Sequence, residues 1–168
     1  MRPRLLLALL LSAATSAALA EKADSSKPIE VNADSAALDQ KQGINVFEGN
    51  VVVVQGTLNL RADKTVATRD PSGRQKVVAT GSPVQFRQKL DGQTEYVDGR
   101  AARVDYDSAS NTVILTGKAV VTRGKDMVSG EQITYNTVTE VYQVKGQGAS
   151  STAPKGRVTV ILQPQEKP

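Results

Sequence analysis

The sequence predicts an all-β fold built from four repeats of about 30 residues each, and three observations point to it. From residue 21 onward the chain holds 21 Val but only six Leu, and β-branched side chains favour strands. Gly and Asn/Asp turn signals recur at short intervals. No window longer than about ten residues spaces its apolar side chains at i, i+3, i+4 and i+7, so no helix is predicted. Many short strands with regular turns suggest a sandwich, a barrel or a roll.

The N-terminus reads as a cleaved secretory signal peptide over residues 1–20. Arg2 and Arg4 are its basic start, Leu5 to Leu11 its apolar run, and Ala18-Leu19-Ala20 its cleavage site. The run falls well short of the roughly 20 residues that a membrane span needs. An uncleaved anchor is the alternative. Cleavage leaves an exported, soluble product of one domain over residues 21–164, followed by a short polar tail at 165–168. Removing the leader leaves 19 basic and 17 acidic residues, too even a balance to argue for nucleic acid.

Cys and His are both absent. That removes disulfides, Cys–His and Ser-His-Asp catalysis, and zinc sites as they are usually built. Neither a cofactor nor a metal site is expected, and no catalytic residue is nominated. Asp105-Tyr106-Asp107 could be read as a carboxylate pair for a glycosidase. Asp107 also matches a turn-starting Asp39 in the repeat, which explains it without chemistry. Asp70-Pro71-Ser72-Gly73 and Asp91-Gly92 read as turns, and Gly146-Gln147-Gly148 lacks the helix that a phosphate loop requires.

The repeat appears as a gap-free match between Ala36–Val53 and Val104–Val121 at an offset of 68. Phe47-Glu48-Gly49 falls on Leu115-Thr116-Gly117. Weaker copies run through Gly81 and Gly146. A second motif alternates with the first: an apolar residue, a spacer, a small residue and usually an acid. Its copies are Val31 to Asp34, Leu60 to Asp63, Val97 to Arg100 and Val128 to Glu131. Positions 47, 49, 51 and 53 share one strand face, and a glycine at the same place in each unit predicts a sheet that bends there. The predicted first strand, Pro28 to Val31, is guarded by Lys27 and Pro28. The predicted last strand, Arg157 to Leu162, is apolar and must be covered or used, for example by pairing with another chain.

Several strings, taken in order, resemble the OstA-like family of periplasmic lipopolysaccharide-transport proteins. They are Lys27-Pro28-Ile29-Glu30-Val31, Phe47 to Thr57 (FEGNVVVVQGT), Ala62-Asp63-Lys64, Val113 to Ala119 (VILTGKA), Gly130 to Tyr135 (GEQITY) and Gly156 to Pro164 (GRVTVILQP). The resemblance spans residues 27–164. It implies an open, twisted antiparallel β-jelly roll with lipid A acyl chains in an apolar groove. It also implies head-to-tail joining of copies through the terminal strands, in a bridge from an LptC-like inner-membrane protein to an LptD-like outer-membrane protein. The tail after Pro164 is short for the family, and the third unit has Arg100 where the others carry an acid.

From the alternation and this resemblance, the lipid-lining candidates are Ile29, Val31, Leu38, Phe47, Leu60, Phe86, Tyr106, Leu115, Ile133 and Tyr135. The alternative is that they only pack on one another. Lipid A carries phosphates, so Lys64, Arg69, Lys76 and Arg87 are candidates for a basic rim. Ile29, Val31, Val158, Val160 and Leu162 are the candidates for pairing with a partner strand. The competing function is a secreted β-repeat module that binds carbohydrate and mediates adhesion, although no Trp platform is present.

Overall fold

A computed structural model describes residues 24, 26–90, 94–139, 141–146 and 156–164. The leader at 1–20, the Asp91-Gly92 turn, Gln147 and Gly148, and the tail at 165–168 lie outside the described residues. Ten strands follow in chain order: β1 Ile29–Asn32, β2 Ser35–Asp39, β3 Ile44–Gln55, β4 Leu58–Arg69, β5 Gln75–Lys89, β6 Tyr96–Asp107, β7 Thr112–Arg123, β8 Asp126–Asn136, β9 Tyr142–Lys145 and β10 Thr159–Ile161. All pairings are antiparallel and all belong to one sheet. Strands β1 and β2 share β3 as partner, and β9 and β10 share β8. The sheet is therefore eight rungs wide, with a split rung at each edge, and the edges are not joined to each other.

Every long rung bends near its middle. The pairing register slips at Glu48/Val51, Arg61/Lys64, Thr80/Val84, Arg100/Arg103 and Thr116/Ala119, in line across the sheet. The bend divides the sheet into two arms whose inner faces meet in one core. Val51, Ala62, Val84, Ala101, Ala119 and Val121 come from one arm, and Ala79, Val104, Leu115 and Ile133 from the other. The result is an open, non-closed sheet folded on itself, as the all-β reading expects.

The four predicted bend glycines all stand at this line, but the backbone turns differently at each. Gly49-Asn50 and Gly117-Lys118, the pair related by the offset of 68, take successive positive φ angles of 78° and 47°, and of 85° and 50°. That double left-handed step is open to glycine at little cost. At Gly81 the chain instead turns through a cis Ser82-Pro83 bond. At Gly146 the rung is split, and the backbone of Gly156 crosses so close that a Cβ would collide with it.

The register corrects the third copy of the second motif. Val31, Leu60 and Val128 occupy one cross-strand row, and the β6 residue in that row is Gly99, not Val97. The copy is therefore Gly99-Arg100-Ala101-Ala102, two residues later than the sequence suggested. Its missing acid is replaced by Ala102, not by Arg100. Glycine replaces the apolar residue there because the Phe86 ring from the neighbouring strand covers the position.

Turns are held by carboxylates. Asp24 accepts hydrogen bonds from the Thr57 amide (3.0 Å), the Thr57 hydroxyl (2.5 Å) and the Gln88 side-chain amide (3.2 Å), which ties the N-terminal segment to the β3–β4 turn. Burial pushes its carboxyl up, but the Thr57 and Gln88 bonds with nearby Lys27 outweigh this and hold it below the ordinary value. In the β4–β5 turn, Asp70 accepts from the Ser72 amide and hydroxyl at 2.9 and 2.7 Å and from Arg74 Nε at 2.6 Å. The Ser72 hydroxyl leads in lowering the Asp70 pKa from 3.8 to about 2, with Arg74 assisting.

A depressed carboxylate adds stability above its unfolded pKa and loses it as pH falls through the folded one. The melting temperature of Asp70→Asn should therefore lie below that of the native chain at pH 7. The gap should close between about pH 4 and pH 2. A gap that stays constant through that range in thermal melts would exclude this role for Asp70.

Candidate functional site: the inner face of the folded sheet

Two cross-strand rows build the interior. In the first arm Val31, Val53, Leu60, Phe86, Gly99, Val121, Val128 and Val160 pair in succession across all eight rungs. In the second arm the row is Ala36, Phe47, Thr65, Ala79, Val104, Leu115, Ile133 and Val144. A third row lies farther from the bend on that arm's same face: Leu38, Asn45, Ala67, Val77, Tyr106, Val113, Tyr135 and Tyr142. Directly paired residues point to the same face of a sheet, so each row is a continuous lining.

All ten lipid-lining candidates fall on this inner face. Nine stand in the three rows, and Ile29 shares the side of Val31 on β1. Their burial is graded. Leu115 and Ile133 are closed off from solvent beside the bend. Phe47, Leu60, Phe86, Tyr106 and Tyr135 are half-buried, and Ile29 and Leu38 at the β1–β2 edge are 56% and 62% exposed. Tyr135 and Tyr142 stack at a centroid distance of 4.4 Å at the opposite edge. Sequence reasoning missed Val51, Val84, Val104 and Val121, which are as buried as the residues it chose. Val84 stands two residues before Phe86 on β5 and Val104 opposite Leu115, while Val51 and Val121 lie on the strand faces that Phe47 and Leu115 already mark.

One sealed polar group interrupts the lining beside the bend. Thr65, between Phe47 and Ala79 in the second row, is 3% exposed. Its Oγ1 is the one buried side-chain polar atom among the described residues with no hydrogen-bond partner. Leaving such a hydroxyl unpaired costs about 1–3 kcal/mol.

The basic-rim reading needs correction for three of its four residues. Lys64, Lys76 and Arg87 stand on the outer face, where each is paired with a carboxylate. The distances are 2.6 Å to Glu48, 3.4 Å to Asp107 and 3.6 Å to Asp98. Arg87 also lies over the Tyr96 ring at 4.4 Å. Only Arg69, at the exposed end of β4, keeps the inward side. The physical reason is the bend. The inward residues of β4 are even-numbered up to Ala62 and odd-numbered from Thr65, because the slip shifts the alternation by one. The same phase change occurs in β5, β6 and β8.

Asp105 and Asp107 also face outward. Asp105 takes a bidentate contact from Arg103, which raises the guanidinium pKa. Asp107 accepts from the Ala109 amide at 2.8 Å and pairs with Lys76, and both contacts lower its pKa. Both carboxylates are engaged in ion pairs, and Asp107 also holds the turn that the repeat reading anticipated for it. Exposed at the sheet edges are Ile29 on β1 and Val158, Val160, Ile161 and Leu162 at and beside β10. Strand β1 pairs on one side with β3 and β10 on one side with β8.

The family profile described as LptA/(LptD N-terminal domain) LPS transport protein matches residues 30–141. The chain belongs to this family. Among its relatives, the lipopolysaccharide export system protein LptA of Escherichia coli K12 is 35% identical over 165 residues, covering 96% of this chain and 85% of that protein. LptH of Pseudomonas aeruginosa is 33% identical over 155 residues, covering 91% and 89%. The crystal structure of LptH, described as the LptA-homologous periplasmic component of the lipopolysaccharide transport device, superposes with a TM-score of 0.74 at 32% identity. That alignment covers 84% of this chain and 99% of LptH. The chain is thus an LptA-like protein, and the two apolar arms belong to a fold shared with an LPS-transport component.

Proposed function

We propose that this protein carries lipopolysaccharide across the periplasm, with the acyl chains held between the two arms. The observation that carries the reading is the inner face. It is predominantly apolar across all eight rungs and grades from sealed at the bend to half-exposed toward the edges. Acyl chains bind by removing apolar area from water, at about 25 cal/mol per Å², which a long continuous lining supplies and a scatter of apolar residues does not. The family membership and the names of the relatives agree with it. Nothing in this reading requires turnover chemistry, so direction of transport comes from elsewhere in the system.

The outer edges of β1 and β10, unpaired among the described residues, supply a means of assembly. Each offers a row of backbone donors and acceptors, so the C-terminal strand of one copy can pair with the N-terminal strand of the next. Such a contact is head-to-tail and builds open filaments. The same edges would meet an LptC-like protein at the inner membrane and an LptD-like protein at the outer membrane.

The test is binding of purified residues 21–168 to lipopolysaccharide, with the lipid-free core polysaccharide as competitor. Binding that the polysaccharide does not displace is expected. Full displacement by the sugar would favour a carbohydrate-binding adhesion module instead. In the same assay Phe47→Asp should weaken binding at least about tenfold, since a buried ring of this size contributes about 1.5–3 kcal/mol. Phe47 is half-buried, so the variant should keep its β-sheet circular dichroism. Undiminished binding by a folded Phe47→Asp would move the acyl chains out of this interior.

A further inference from the structure

Thr65 is anomalous within the interior. Seven of the eight side chains in its row are hydrocarbon, and the eighth is a hydroxyl sealed from solvent and without a partner. Valine has the same shape and a similar strand preference, and it would remove the unpaired group at no loss of volume. Valine fills inward positions throughout this interior, among them Val104 and Val144 in the same row and Val51, Val84 and Val121 in the core. The hydroxyl is therefore a stability cost with no return inside the protein alone, the kind of buried group that calls for an explanation outside it. Around it the row is narrow, with Ala36, Thr65 and Ala79 on the β2 side against Val104, Leu115, Ile133 and Val144 on the other. Its neighbour Phe47 is half-buried, so Thr65 lies one strand in from the part of the interior that solvent reaches.

We infer that Thr65 is a specificity-determining residue that hydrogen-bonds an oxygen function, a hydroxyl above all, on an acyl chain entering between the arms. The inference rests on the lipid reading above and narrows it, from any long acyl chain to one oxygenated near the bend. A hydroxyl both donates and accepts, so it can complete the Thr65 bond in either direction. A plain hydrocarbon chain at the same place leaves Oγ1 unpaired. Discrimination of this kind is strong for its size because the site itself, not only the ligand, is left unsatisfied by the wrong partner.

The test uses residues 21–168 and two probes, tetradecanoic acid and 3-hydroxytetradecanoic acid, each displacing a fluorescent fatty acid. The native protein should prefer the hydroxylated chain by about fivefold, the yield of one neutral hydrogen bond. Thr65→Val should lose that preference while binding the plain chain at least as well and melting no lower than the native protein. Thr65→Ser should keep the preference. Equal binding of the two chains by the native protein, or a preference that survives in Thr65→Val, would overturn the inference and leave the lipid reading standing. Failure of either chain to bind would overturn both.

Discussion

Leu115→Asp is expected to leave no folded protein at 25 °C. Leu115 is 1% exposed and sits mid-row between Val104 and Ile133. The cations Arg103 and Lys64 stand on the outer face and already serve Asp105 and Glu48. An aspartate carboxylate at 115 is thus buried without a partner, which costs about 3–5 kcal/mol. The lost side chain and its cavity add about 2–5 kcal/mol. Together these rival the whole stability of an ordinary domain, about 5–15 kcal/mol. Leu115→Ala, carrying only the cavity cost, should fold with its melting temperature lowered by about 10 °C. Leu38→Asp, at a position 62% exposed on the same inner face, should melt within a degree or two of the native chain. Thermal circular dichroism separates the three. A cooperative, near-native melt for Leu115→Asp would mean that the interior beside the bend is wet, and the two-row lining would then be wrong.

Much of this fold is legible in the sequence because the offset of 68 is also a structural period. Ala36 and Val104 share a row, as do Phe47 and Leu115, and Gly49-Asn50 and Gly117-Lys118 make the same double left-handed step. In β3 and β7 that step inserts two residues, so odd-numbered residues face inward on both sides of the bend and simple alternation reads correctly. Elsewhere the slip shifts the phase by one, which no local pattern announces. Ala62 and Thr65 both face inward although one is even and the other odd. A strict alternation from Leu60 carries Lys64 inside, whereas the register places it outside against Glu48. The lining candidates were legible because large apolar residues on these strands seek the core. The cations were not, because their side depends on how many residues each bend absorbs.

The remaining misreading came from a contact between strands. Replacing Gly99 by Ala should lower stability by about 2 kcal/mol in the native chain but not in a Phe86→Ala background. Gly99 has no positive φ, so its backbone tolerates a side chain. What opposes one is the Phe86 ring, which an added Cβ would strike at Cε1 and Cζ. Overpacking of this kind costs about 1–3 kcal/mol. With the ring removed, alanine restores strand propensity that glycine lacks, worth about 0.5–1 kcal/mol, so the same substitution should become neutral or stabilising. Phe86→Ala alone should cost about 2–3 kcal/mol, less than a sealed phenylalanine, because the ring is half-buried. The cycle should therefore show a coupling of about 2 kcal/mol or more between the two positions, measured by urea unfolding of the four proteins. An identical effect of Gly99→Ala in both backgrounds would break the pairing. The reason for a glycine in an otherwise apolar row would then have to be sought in what the interior binds, not in how its own side chains fill it.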